Sequence, residues 1–177
     1  MVMGIRLAKL ARGLSAREAA DAYALSQTMP ASMRDDQRAQ AAEFEATIEA
    51  MFLMAAVDGE VGDQELAQLA ASVEAIVDTR DAGAKKIPFD MPKVLSGLNA
   101  LLEKEGWKAR LDAVAARLKA QESRAFAFRL AAGVALVDDH VAHAEAAAID
   151  ALAAAFQMSS AESQDILSDV QEALFGE

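Results

Sequence analysis

Apolar residues recur at helical spacing through most of the 177-residue chain, and this period constrains the fold more than any other feature. One such stripe follows the 3.6-residue period of a half-buried helix and comprises Phe44, Ile48, Met51, Phe52 and Ala55. Nine glycines and three prolines are few helix breakers for this length. Because alanine, leucine and glutamate also favour helices, the sequence predicts an all-α fold without β-strands.

Capping and breaking residues divide the chain into about nine predicted helices. Capping boxes at 15–18, 32–35 and 159–162 predict three helix starts. Pro92 fits the first turn of a helix that ends before Gly106, and the polar stretch 78–90 is predicted to be a surface loop. The other connections are short, which favours antiparallel neighbours in a compact helical bundle. We divide the chain into a basic N-terminal extension, 1–30, and a helical domain, 31–177.

The N-terminal segment differs from the rest of the chain in its charge. Its first 17 residues carry four positive charges, from Arg6, Lys9, Arg12 and Arg17, which leaves −15 for the remainder of a chain whose net charge is −11. Its leucines and Ile5 fit one broad helix face. Such a segment either packs on the acidic body or lies on a membrane surface.

Composition argues against several classes of function. The acidic pI of about 4.6 is the opposite of the basic footprint that nucleic-acid binding requires. The absence of cysteine excludes disulfides and thiolate sites. No apolar stretch reaches the ~20 residues that span a bilayer, so a cytoplasmic location is expected, either free or peripheral to the membrane. No nucleophile elbow, P-loop or zinc-protease motif is present, so we expect no enzymatic activity.

Two acidic turns share a pattern at an offset of 80 residues. Residues 55–66 read AAVDGEVGDQEL and residues 135–146 read ALVDDHVAHAEA, so that V-D-x-x-V-x-x-x-E occurs in both. Apolar helices are predicted on both sides of each turn. Two copies are too few for a solenoid, so the pattern predicts an internally duplicated helical hairpin.

Helix capping explains much of this pattern without any ligand. Gly59 can end the preceding helix, and Glu65 would be the third residue of the next helix, where a carboxylate faces the positive helix end. Glu145 takes the same place in the second turn. Asp58 is less well explained, although it could accept hydrogen bonds from the loop as an Asx-turn.

A cation site is the functional alternative. If the two hairpins pack about a pseudo-twofold axis, Asp58, Glu65, Asp138 and Glu145 converge, and like charges so close together favour a bound divalent cation. Oxygen ligands suit calcium, magnesium or manganese. His140 and His143 leave open a transition-metal site, although the first turn has Glu60 and Asp63 in the matching places.

The stretches AAVDGEVGDQELAQLA and ALVDDHVAHAEAAAIDALAAAFQMSSAESQDIL resemble the tellurite-resistance TerB family and its TerB-like relatives. The resemblance covers about 35–175 and implies a cytoplasmic helical bundle that is linked to stress resistance, acts in complexes near the membrane and is not an enzyme. It also implies metal binding by Asp58 and Glu65 in the first turn and by Asp138 and Glu145 in the second. The second turn departs from the family pattern, because Asp139 replaces the turn glycine.

We therefore expect a TerB-like protein that binds a divalent cation through its acidic turns and engages partner proteins. The alternative is a metal-free helical adaptor or scaffold, of which a homodimeric interaction module is one form. A hydrolase with a metal-activated water is a third and more distant reading.

Overall fold

The computed structural model describes residues 30–57, 67, 69–70, 91–136 and 143–175. After a 3-10 helix at Pro30–Ser32, these ranges contain six α-helices: α1 (Asp35–Ala55), α2 (Met91–Glu105), α3 (Trp107–Arg117), α4 (Gln121–Leu136), α5 (His143–Ala155) and α6 (Ser160–Phe175). Residues 67 and 69–70 are also helical. No strand occurs in this part of the chain, so the all-α prediction is confirmed for the described residues.

Most helix boundaries follow the predicted signals. Pro92 is the second residue of α2, and Gly106 separates α2 from α3 at a backbone φ of 91°. At the start of α6, the Ser159 hydroxyl accepts a hydrogen bond from the Glu162 amide at 3.1 Å, as the capping box predicts. The N-terminal extension as far as residue 29 and the predicted loop 78–90 lie outside the described residues.

The predicted start of α1 was wrong. Ser32 belongs to the 3-10 helix, and α1 begins at Asp35 with Arg34 in the N-cap position. The side chain of Gln37 accepts a hydrogen bond from the Arg34 amide at 2.9 Å. Glutamine at the third helical position thus accepts the hydrogen bond from the N-cap amide that a capping box requires. Ser32 does not take part in this cap.

The central helix of the bundle is α1. All nine residues from Ala46 to Met54 are buried, so this half of the helix has no solvent-facing side. Its most extensive neighbour is α4, followed by α3. Small side chains on α4, among them Ala127, Ala131 and Ala132, are fully buried and allow the two helices to approach closely.

Contacts between the helices establish their directions. Trp107, the first residue of α3, bonds to Leu53 near the end of α1, and Arg117 at the other end of α3 bonds to Glu45, so α3 is antiparallel to α1. After the short turn at 118–120, α4 returns in the direction of α1, and its Ser123 donates a hydrogen bond to Glu43. Consequently α1 and α4 are parallel, and their C-termini lie at the same end of the bundle.

The second hairpin continues this arrangement. Arg124, near the start of α4, donates through Nη1 to the Phe156 carbonyl just after α5 at 3.2 Å, so the end of α5 lies beside the start of α4. In α6, Glu162 bonds to Gln121 and Asp169 pairs with Arg129 at 3.9 Å, so α6 runs parallel to α4. The N-terminus of α3 lies at the end where α1 and α4 finish.

The turn after α5 contains a backbone conformation that we expect to be improved by glycine. Gln157 has a φ of 57°, and the amide of Met158 bonds to the Ala153 carbonyl at 2.9 Å, the pattern of a Schellman motif. A non-glycine residue pays a conformational cost there. Gln157→Gly is expected to raise the free energy of unfolding by about 0.5–1 kcal/mol in urea denaturation. Gln157→Ala, which keeps the Cβ, is the control and should give no such gain.

Candidate functional site

The two acidic turns follow directly from the C-terminal ends of α1 and α4. Three of the predicted ligands, Asp58, Glu65 and Asp138, lie outside the described residues, as do Asp63, Asp139 and His140. Only the backbone of Glu145 and His143 is described. Glu145 lies in the first turn of α5 as described, and the residues that would cap this helix lie outside the described residues.

The described helices agree with the predicted hairpin equivalence at some positions but not at all of them, since Ala70 is buried and its counterpart Asp150 is exposed. At the offset of 80 residues, Leu69 corresponds to Ile149, and both side chains are buried. Ala67 corresponds to Ala147, and both are exposed. Ser123 corresponds to Glu43, and these two residues contact each other directly. A single contact of this kind does not establish a twofold axis between α1 and α4, and the duplication stays a prediction.

A buried charge cluster lies between α1 and α3, and the sequence analysis did not predict it. We use this name for Glu45, Glu49, Glu105, Arg110 and Arg117. The Glu49 side chain is only 1% exposed. Arg110 binds it in a bidentate manner, with Nε 2.7 Å from Oε2 and Nη2 2.9 Å from Oε1. Arg117 also donates to Glu49 Oε1, so both carboxylate oxygens are paired.

The outer carboxylates complete the buried charge cluster. Arg117 Nη1 lies 2.9 Å from Glu45 Oε1, and Arg110 Nη1 lies 3.1 Å from Glu105 Oε1. The hydrogen bond to Glu49 raises the pKa of Arg110 above its usual range, and burial opposes this effect. Because Arg110 touches carboxylates of both α1 and α2, it joins three helices at one point.

This cluster is saturated and is therefore structural, without a free position for a ligand. Within the described part of the chain, every buried side-chain nitrogen and oxygen has a hydrogen-bond partner. In the same residues, no three acidic or histidine side chains are grouped so as to hold a metal ion. Two arginines against the inner glutamate also disfavour a cation there. The predicted cation site in the turns lies outside the described residues and stays a prediction.

The sequence contains a signal that Glu49 is buried. Five apolar residues, 50–54, follow it directly, so a helix through this segment offers little solvent-facing surface to a carboxylate. A charge in such a position is almost never buried without a partner. The partner itself is harder to identify, because Arg110 lies 61 residues away in the sequence.

Comparison of the chain with protein-family models, curated proteins and solved structures gave no match. In the part of the chain that the structure describes, no helix combines the length and apolarity that crossing a bilayer demands. The described helices define the protein as an all-helical bundle.

Proposed function

We propose that this chain is a TerB-like, non-enzymatic helical protein whose acidic turns bind one divalent cation and which engages partner proteins in stress or tellurite resistance. The proposed ligands are Asp58, Glu65, Asp138 and Glu145, in a cytoplasmic protein of about nine helices with a duplicated hairpin. The observation that carries the proposal is the parallel packing of α1 and α4, the helices that lead into the two turns.

Parallel packing supports the proposal because it determines where the chain leaves the bundle. Glu43 and Ser123 are in contact, and twelve residues further along each helix stand Ala55 and Ala135. An antiparallel pair fixed at the same contact would instead set the buried half of α4 against the exposed beginning of α1. The parallel arrangement therefore supports turns at the same end, which two hairpins sharing one cation require.

The chemistry of the predicted ligands also fits a hard divalent cation. Four carboxylates provide oxygen atoms only, the ligands that calcium, magnesium and manganese prefer. The net charge of −11 favours cations over anions near the surface. The same charge makes a basic partner protein more suitable than an acidic one. The positive N-terminal segment is the part of the chain suited to anionic lipid, and contact with a membrane surface remains part of this proposal.

Thermal melting with calcium, magnesium or manganese tests this proposal. A cation in excess at 100 times its Kd is expected to add ~2.7 kcal/mol to the free energy of unfolding. The double variant Asp58→Asn/Asp138→Asn should abolish this gain but melt close to the native protein in EDTA. Asp35→Asn/Glu172→Gln removes the same charge from exposed positions on α1 and α6 and should retain the gain.

The opposite results would support the metal-free adaptor or homodimer. A melting temperature that none of the three ions changes would refute cation binding. Equal destabilisation of Asp58→Asn/Asp138→Asn with and without the ion would assign these carboxylates to capping alone.

A further inference from the structure

Helix α6 carries charge of one sign only, because none of its residues is basic. Its four acidic residues are exposed and recur at steps of three or four: Glu162, Asp165, Asp169 and Glu172. This spacing places them along one side of the helix, which we call the acidic stripe of α6. Among the described residues, only Arg129 forms an ion pair with the stripe, at 3.9 Å from Asp169, whose side chain is 67% exposed.

Exposed acidic residues on α1 and α3 have closer basic neighbours. Asp35 pairs with Arg38 at 3.0 Å, and Asp112 pairs with Lys108 at 3.0 Å. The charge of α6 has no comparable local balance within the helix. The acidic stripe is therefore suited to a cationic segment from elsewhere.

An apolar border runs beside the acidic stripe. Ile166 lies four residues after Glu162 and three before Asp169, so it is adjacent to both on the helix surface, and it is only half-buried. Within 160–174, only Val170 and Leu174 are buried, and α4 is the main neighbour of α6 among the described helices. One side of α6 thus offers an acidic surface next to an apolar one.

The N-terminal segment has the complementary sequence. Residues 1–17 carry four positive charges and no negative side chain, and Leu7, Leu10 and Leu14 recur at steps of three and four. A helix with this sequence would present a cationic side next to an apolar side. Seventeen helical residues are ~25 Å long, close to the ~24 Å of the 16 residues in α6.

The connection to the bundle permits contact between this segment and α6. The described chain begins at Pro30, just before α1, and both α1 and α6 run parallel to α4, so the chain enters the bundle at the end where α6 begins. Because both helices pack on α4, their axes lie within ~20 Å of each other. Residues 18–29 would span ~18 Å as a helix and ~40 Å when extended, which is enough to reach α6.

We propose that residues 1–17 dock on α6 of the same chain, with Arg6, Lys9 and Arg12 against the acidic stripe and the leucines against Ile166. The contact forms in the protein away from a membrane. It does not depend on cation binding in the turns. It assigns to the N-terminal extension one particular surface of the acidic body.

Limited digestion with trypsin, followed by mass spectrometry, tests the docking, because trypsin cleaves after lysine and arginine. Asp165→Asn/Asp169→Asn/Glu172→Gln neutralises most of the acidic stripe. This variant is expected to be cleaved after Lys9 and Arg12 about threefold to tenfold faster than the native chain, since the exposed ion pairs that hold the segment are lost.

Two controls separate docking from a general effect of charge or stability. Asp35→Asn/Glu103→Gln/Asp112→Asn removes the same charge from α1, α2 and α3, and its cleavage rate should stay within about twofold of the native rate. Cleavage after Arg124, whose guanidinium is bonded inside the bundle, reports on unfolding and should be unchanged in both variants. Glu162 is kept in all variants because its amide takes part in the cap of α6.

Carbodiimide coupling provides a second measurement on the native chain. Lys9 is the only lysine in residues 1–17, and the reagent joins its amine to a carboxylate at ion-pair distance. The expected product links Lys9 to Asp165, Asp169 or Glu172 within one chain.

Three results would overturn the inference. The first is equal cleavage after Lys9 in the native chain and the stripe variant. The second is protection that appears only with vesicles of equal parts phosphatidylserine and phosphatidylcholine, which would assign the segment to lipid. The third is a coupled product with twice the mass of the chain, which would place the segment on a second copy. None of these results bears on the cation site, which the melting experiment tests separately.

Discussion

Replacement of Glu49 by alanine is expected to lower the free energy of unfolding by about 3–5 kcal/mol. The carboxylate is 1% exposed and balances two arginines, of which Arg110 is itself 11% exposed. Without it, both guanidinium groups stay partly buried and keep only the outer carboxylates of Glu45 and Glu105 as charged partners. Urea denaturation, followed by circular dichroism, measures the loss.

A triple apolar variant is the control for this prediction. Glu49→Met/Arg110→Leu/Arg117→Met removes the inner charges together, so no buried charge is left unpaired. Its stability is expected to lie within about 1 kcal/mol of the native value or above it. If the triple variant were as unstable as Glu49→Ala, packing volume would explain the loss and the charge argument would be wrong.

The second large effect is expected from Phe128, which is fully buried on α4. Phe128→Ala should lower the free energy of unfolding by about 3–5 kcal/mol, because it removes apolar contacts and leaves a cavity in the hydrophobic core. The small neighbours Ala131 and Ala132 cannot refill that space. Chemical denaturation measures the change.

Phe128→Leu provides the comparison, since it keeps most of the apolar volume. The expected loss is about 1 kcal/mol or slightly more. A loss for Phe128→Ala below that of Phe128→Leu would show that the core around Phe128 collapses to fill the cavity, contrary to this prediction.

The fold could be predicted from the sequence where local signals act alone. Pro92, Gly106 and Ser159 mark their helix boundaries correctly, because capping and backbone geometry depend only on neighbouring residues. The start of α1 was misplaced because two overlapping capping patterns compete there, and Gln37 rather than Ser32 satisfies the exposed amide.

Local sequence signals could not predict the tertiary contacts. Glu49 could be recognised as unusual, but its partners Arg110 and Arg117 lie 61 and 68 residues away, and no local rule selects them. The parallel direction of α1 and α4 likewise depends on how the intervening helices fold back. For the candidate site, the described part of α5 includes Glu145, while its capping role and the convergence of the four carboxylates stay predictions.

Arg124 has a consequence for how the bundle comes apart. Its guanidinium binds the carbonyls of Ala115 and Leu118 at the end of α3 and that of Phe156 after α5. A single side chain of α4 therefore caps the C-terminal ends of both α3 and α5. Fraying of either end would break hydrogen bonds of the same guanidinium, so we expect the ends of α3 and α5 to unfold together with the start of α4.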